Sequence, residues 1–196
     1  GDIAAAVAAK KAEIETAGDK VGDITINLTA DAAYTVSGSI EASAGLVING
    51  NNATIDASAL ASAMILMSAT PSVEANEAGF YPINDVVIKD VKVTGLAQQL
   101  FYANKVKYLM NNLVCENSII QVNGGNKTVF DFNGGGVVAK LDISKSTIYA
   151  NPKHEGALYS SQSGNKATEA GLEKQTISII NSTLYNIACG KNVNNH

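Results

Sequence analysis

A short phrase recurs along this chain without a fixed period, and it leaves few folds open. It reads apolar residue, spacer, a polar corner residue, spacers, apolar residue. It occurs as Ile88-Lys89-Asp90-Val91-Lys92-Val93 and as Leu109-Met110-Asn111-Asn112-Leu113-Val114. It returns as Ile143-Ser144-Lys145-Ser146-Thr147-Ile148 and as Ile179-Ile180-Asn181-Ser182-Thr183-Leu184. Ile48-Asn49-Gly50-Asn51-Asn52-Ala53-Thr54-Ile55 is a relative with a longer spacer. Two short apolar runs joined by a polar or glycine-containing corner describe a strand, a bend and another strand. Several such units predict a coiled stack in which each turn buries the face of the turn below. Asp90, Asn111 and Asn181 are expected at equivalent corners, where short polar side chains bond to turn backbone.

The stack is expected to begin after a helix. Asp2 is a candidate N-cap before the Ala-rich run Ile3 to Ala17, and Gly18 ends it. Ile3, Val7 and Ile14 share one face, which can cover the open end of the first coil. Residues 1–18 are therefore read as a capping helix. Residues 19–196 are read as a solenoid of about five coils, truncated at its C-terminal end. The long polar stretch from Ser160 to Gln175 and the Pro-containing stretch from Thr70 to Asn84 are loops. Their unequal lengths explain the missing period, because strands must stack and loops need not match.

Composition narrows the function classes. Among 196 residues the hydrophobic fraction is 46% and the charged fraction 16%, with a formal net charge of −4. No basic cluster points to nucleic acid. No apolar run reaches the roughly 20 residues of a membrane-spanning helix. Gly1 is not an initiator residue, which reads as a leader removed, and the low charge fits an extracellular or cell-surface location. Cys115 and Cys189 form no metal motif. With about 4.8 Å per coil, two coils hold them roughly 10 Å apart, beyond the reach of a disulfide. Both are expected to be free and buried.

These residues resemble the right-handed parallel β-helix proteins of the pectin-lyase-like superfamily. The opening carries the resemblance: a helix, Gly22-Asp23, a β-rich stretch with Tyr34, then Leu46-Val47-Ile48-Asn49-Gly50 and Thr54-Ile55. More narrowly, it resembles the secreted or surface-anchored β-helix proteins of Bacteroides-type bacteria, many of them uncharacterised. The resemblance implies an all-β, single-stranded right-handed parallel β-helix with an N-terminal capping helix. It leaves activity open, because the superfamily includes polysaccharide lyases, hydrolases, adhesins and non-catalytic binding proteins.

The residues argue against catalysis. Arginine is absent from the whole chain, which removes the Arg-based lyase chemistry of such proteins. A Lys base would need acidic residues grouped to hold calcium, and Asp131 and Asp142 stand alone on their strands. The Asn-x-Asp, Asp-Asp, Gly-His-Gly and Arg-x-Lys motifs of polygalacturonase-like hydrolases are missing, and a glycosidase needs paired acids. His154 reads as a surface-loop residue and His196 as a terminal one. Asn123-Gly124-Gly125-Asn126 and Asn133-Gly134-Gly135-Gly136 are turns rather than phosphate loops. No catalytic residue, metal ligand or cofactor is assigned.

Alternation offers one binding surface. If Ile65, Phe101, Phe130 and Leu158 point inward, then Leu66, Tyr102, Asp131 and Tyr159 form an outward column. Tyr102 and Tyr159 would flank Asp131, as aromatic faces and a carboxylate suited to sugar rings and hydroxyls. The favoured expectation is a non-catalytic polysaccharide-binding or scaffolding protein. A lyase or hydrolase acting on uronate-rich glycans and an adhesin-like stalk remain as alternatives.

Overall fold

The computed structural model describes residues 1–161 and 166–193, and the side chains of these up to Gly190. His196 lies outside the described residues, as does the part of the 160–175 loop from 162 to 165. The chain is mostly β, and its sheets are parallel throughout.

The helix α1 (Ile3–Thr16) starts where the sequence places it. Asp2 caps it, with Oδ1 accepting from the Ala5 N–H at 2.9 Å. The other carboxylate oxygen accepts from the Ser37 N–H at 3.0 Å and from the Ser37 hydroxyl. The Ser37 hydroxyl, and after it the Ala5 N–H, hold this carboxyl below its ordinary value. One side chain thus starts the helix and ties it to the β region. Ile3 and Val7 are buried in the common core, and Ile14 is half-buried.

The strands follow in order. The first seven are β1 (Ile24–Asn27), β2 (Ala33–Thr35), β3 (Ile40–Ala42), β4 (Leu46–Asp56), β5 (Ile65–Met67), β6 (Tyr81–Ile83) and β7 (Val86–Leu96). Next come β8 (Phe101–Asn104), β9 (Tyr108–Glu116), β10 (Ile119–Val122), β11 (Phe130–Asn133) and β12 (Val137–Ser144). The last are β13 (Thr147–Ala150), β14 (Ala157–Ser161), a short helix α2 (Lys166–Glu169), β15 (Thr176–Ile180), β16 (Thr183–Tyr185) and β17 (Ala188–Val193). They form one eleven-stranded and one six-stranded sheet. The smaller sheet runs β3-β5-β8-β11-β14-β17, so each member pairs with the next visit of the chain. Between these visits the chain supplies strands to the larger sheet.

Register turns the apolar alternation into continuous inward columns. Leu46, Val86, Leu113 and Leu141 align across β4, β7, β9 and β12, as do Ile48, Ile88, Cys115 and Ile143. Ile55, Val93, Ile120 and Ile148 align on the other side of the bend. Ile40, Ile65, Phe101, Phe130 and Tyr159 form the matching column of the smaller sheet. All of these side chains are buried, and Phe132 stacks between Phe101 and Tyr159 at centroid distances of 5.1 and 5.9 Å.

The recurring phrase is visible in the backbone. Asp90, Asn117, Lys145 and Asn181 all take positive φ, at 55°, 45°, 50° and 50°. They occupy one corner column, because Lys89 pairs with Glu116, and Ser144 pairs with both Glu116 and Ile180. Asn111 does not belong to it, contrary to the sequence expectation. It lies inside the continuous strand β9, and the corner of that layer is Asn117. The apolar flanks of Asn111 and Asn117 look alike in sequence, and only pairing distinguishes them. In β4 the longer spacer Gly50-Asn51-Asn52 takes the place that Asp90 alone fills in β7, since Asn49 pairs with Lys89 and Ala53 with Val91. A Cβ on Gly50 would collide with the Asp90 carbonyl, so this approach needs glycine.

A serine follows the corner in three successive layers. The Val91 N–H donates to Ser118 Oγ at 3.3 Å, the Ser118 N–H to Ser146 Oγ at 3.1 Å, and the Ser146 N–H to Ser182 Oγ at 3.1 Å. Each of these hydroxyls donates to the carbonyl two residues before it, at 2.8 Å in all three layers. The corners are therefore locked to each other along the stacking direction.

Candidate functional site

Strand pairing places Tyr102 beside Leu66 and beside Asp131 on the outer face of the smaller sheet. The next member of that column is Ser160, because Asp131 pairs with Ser160 and Phe130 with Tyr159. Tyr159 is thus turned into the core, only 1% exposed, and the expected Tyr102–Asp131–Tyr159 strip is not formed. Leu158 and Tyr159 are both apolar enough to be buried. Both are buried, and the pairing register decides that Tyr159 rather than Leu158 sits beside Phe130. Burial also pushes the Tyr159 phenol up to about 12.

What remains of the strip is polar and closely knit. Asn133 Nδ2 donates to the Tyr102 hydroxyl and to Asn104 Oδ1, both at 3.2 Å. Gln99 Nε2 donates to Asp131 Oδ2 at 3.3 Å. Asp131 Oδ1 is buried and has no hydrogen-bond partner among the described residues. Burial holds this carboxyl above its ordinary value, against the opposing pull of Gln99 and Lys127.

A second outward column lies on the larger sheet, and the sequence reading did not find it. Gln121 pairs with Tyr149, and Tyr149 with Tyr185, across β10, β13 and β16. Tyr149 is half-buried, and Tyr185 is 61% exposed. Gln121 is held in place by the Gly95 N–H, which donates to its Oε1 at 3.1 Å. Alternate residues of Thr147-Ile148-Tyr149 and Thr183-Leu184-Tyr185 carry the signal. It becomes readable once Ile148 and Leu184 are known to face inward.

Beside this column runs an open groove of about 450 Å³. Its walls include Asn52, Thr54, Lys92, Asn117, Lys145 and Thr147. The floor follows the corner column, in which Asn52, Asp90, Asn117 and Lys145 succeed one another at the strand spacing of about 4.8 Å. Asp90 also lines it, with Oδ1 accepting from Asn117 Nδ2 at 2.7 Å. Lys92 and Lys145 enter no ion pair among the described residues.

Other polar groups are occupied by the fold. His154 is buried, not on a surface loop as expected. Its Nδ1 lies 2.9 Å from the Gly124 carbonyl, and its Nε2 faces the Lys127 carbonyl. The ring clamps the turn after β10 to the turn before β14. Asp23 accepts from the Gly45 N–H at 2.8 Å and from Asn84 Nδ2, and Asp85 accepts from both nitrogens of Asn112 at 3.1 Å. Among the described residues, no three His, Cys, Asp or Glu side chains come together as a metal-binding set. Cys115 and Cys189 are free, as expected, but only Cys115 is buried. Cys189 lies in β17, the last strand of its sheet, and is exposed.

These features define a mostly β protein with parallel sheets and polar, aromatic columns on their outer faces. Residues 9–151 match the family described as Domain of unknown function (DUF4957), and the chain belongs to that family. No curated protein and no solved structure matches the chain.

Proposed function

We propose that the chain is an extracellular or surface-attached protein that binds polysaccharide without cleaving it. Its strands would wind as a right-handed parallel β-helix of the pectin-lyase-like kind, capped by α1. The alternate visits of the chain to the two sheets support that winding. The observation that carries the functional reading is the in-register column Gln121–Tyr149–Tyr185 beside a groove with amide, hydroxyl and lysine side chains in its walls. Tyrosine faces stack on sugar rings, and repeated amides and hydroxyls exchange hydrogen bonds with sugar hydroxyls. A linear glycan lying along the stack would meet a polar or aromatic side chain in successive layers. Cleavage by a glycosidase needs two cooperating carboxyl groups. The groove offers one, Asp90, and Asn117 already engages it.

A glycan-array screen, with lyase and reducing-end assays on each hit with and without calcium, tests this reading. Binding without turnover, abolished in Tyr149→Ala and Tyr185→Ala, is the expected result. Turnover of any hit would refute the non-catalytic role. Loss of binding in Tyr102→Ala alone would move the site to the smaller sheet. Silence across the array would leave the stalk as the better reading.

A further inference from the structure

In the middle of the larger sheet, β4, β7, β9 and β12 lie side by side in register. Leu46, Val86, Leu113 and Leu141 point inward, so the residues after them form an outward column: Val47, Val87, Val114 and Asp142. The three valines are half-buried. The runs Leu46-Val47-Ile48, Val86-Val87-Ile88 and Leu113-Val114-Cys115 are therefore apolar on both faces, the pattern of a parallel sheet covered on both sides. Other outward columns are more polar. Tyr102, Asp131 and Ser160 succeed one another on the smaller sheet, and Thr54, Lys92, Ile119 and Thr147 do so beyond the corner. The valine column is open, because a groove of about 470 Å³ runs past Thr25, Val47, Val87 and Asn112.

The charges beside the valines say what fits them. On one flank Lys89 of β7 pairs in register with Glu116 of β9, yet neither enters an ion pair among the described residues. On the other flank stand Asp85, Asn112 and Lys140. A two-fold axis parallel to the strands, passing between β7 and β9, reverses the order of the layers. It sets Val87 against Val114 of a second copy and Lys89 against Glu116 of that copy, each twice. The same operation sets Asp85 against Asn112 and Asn49 against Ser144, both donor–acceptor pairs. Val47 meets Asp142, which Lys140 of its own chain neutralises at 3.0 Å. No like charges face each other. An axis along the stacking direction would set Asp142 against itself, and Lys89 against Asp85, whose Oδ1 already accepts from both nitrogens of Asn112.

We propose that the outer face of β4, β7, β9 and β12 is a self-association surface that pairs two copies of this chain through Val87–Val114 and Lys89–Glu116 contacts. The same patch serves both copies, as in other two-fold dimers. The face is below the roughly 800 Å² per partner of a stable interface, so the dimer is a weak one. This inference does not depend on glycan binding.

Sedimentation equilibrium on the 196-residue protein, up to about 1 mM, tests it. A reversible monomer–dimer equilibrium is expected. Lys89→Glu alone and Glu116→Lys alone should each raise the dissociation constant about tenfold or more, because like charges then meet. Mixing these two variants in equal amounts should restore the dimer, since each then supplies the charge the other needs. Val87→Lys should give a monomer with unchanged circular dichroism; Val114→Lys serves if that variant does not fold. A parent protein that stays monomeric throughout overturns the proposal. So does a dimer that survives both charge reversals or both lysine variants, and so does a mixture of the two charge variants that fails to recombine.

Discussion

The Ser146 hydroxyl accepts from the Ser118 N–H at 3.1 Å and donates to the Ser144 carbonyl at 2.8 Å. It joins two layers and closes its own corner at once. Ser146→Ala removes the acceptor and leaves the buried Ser118 N–H unpaired. The expected loss of stability is about 1–3 kcal/mol, measured by urea denaturation. Ser182→Ala, at the exposed end of the ladder, should cost less. Equal costs would show that the ladder does not organise the corners.

Lys145 adopts a φ of 50°, where its neighbours in the corner column are Asn117 and Asn181. A long side chain is disfavoured in this region, and Asn is among the few residues that enter it readily. Lys145→Asn should therefore stabilise the protein by roughly 0.5–1 kcal/mol, with the Lys145 N–H to Ile180 carbonyl bond of 3.1 Å retained. A lower melting temperature in this variant would contradict the assigned corner geometry.

The two thiols should separate by rate. Burial pushes the Cys115 thiol up to about 12, whereas Cys189 is exposed. At pH 8 a disulfide reagent should modify one thiol per native chain, and a second only after denaturant is added. Rapid modification of both in the native protein would place Cys115 outside the core.

Asp131 gives a pH dependence with a definite sign. Its carboxyl is raised above its ordinary 3.8 by burial, so the folded protein holds this proton to higher pH than the unfolded chain. The stability linked to it is complete below the unfolded value and is lost as pH rises through the folded value. Asp131→Asn should therefore melt higher than the parent protein at pH 7, and the difference should vanish near pH 3. Calorimetry at a series of pH values checks this. A difference that grows toward low pH would reverse the assignment.

Much of the local structure was legible before folding. The capping role of Asp2, the corners at Asp90, Lys145 and Asn181, and the inward Ile65, Phe101 and Phe130 follow from residue type and alternation. The binding surface was harder to read. The strip through Tyr102 and Asp131 was projected one layer too far, because the loop before β14 hides which residue of Leu158-Tyr159 meets Phe130. Nothing local reveals the Tyr149–Tyr185 column, because adjacency across 36 positions depends on how β14, α2 and β15 fold between β13 and β16. His154 offered no local sign of the Gly124 and Lys127 carbonyls that enclose it.

The sequence by itself determined most strand segments and most apolar faces, since these depend on side chains a few positions apart; β6 (Tyr81–Ile83), inside a stretch read as loop, and the corner at Asn117 rather than Asn111 came only with pairing. The tertiary structure decided register. Pairing between strands tens of residues apart placed Tyr159 in the core, Tyr149 beside Tyr185, and Ile179 beside Ile143. Loop lengths set that pairing, and hydrogen bonds between layers hold it. No short stretch of sequence contains both partners of such a bond.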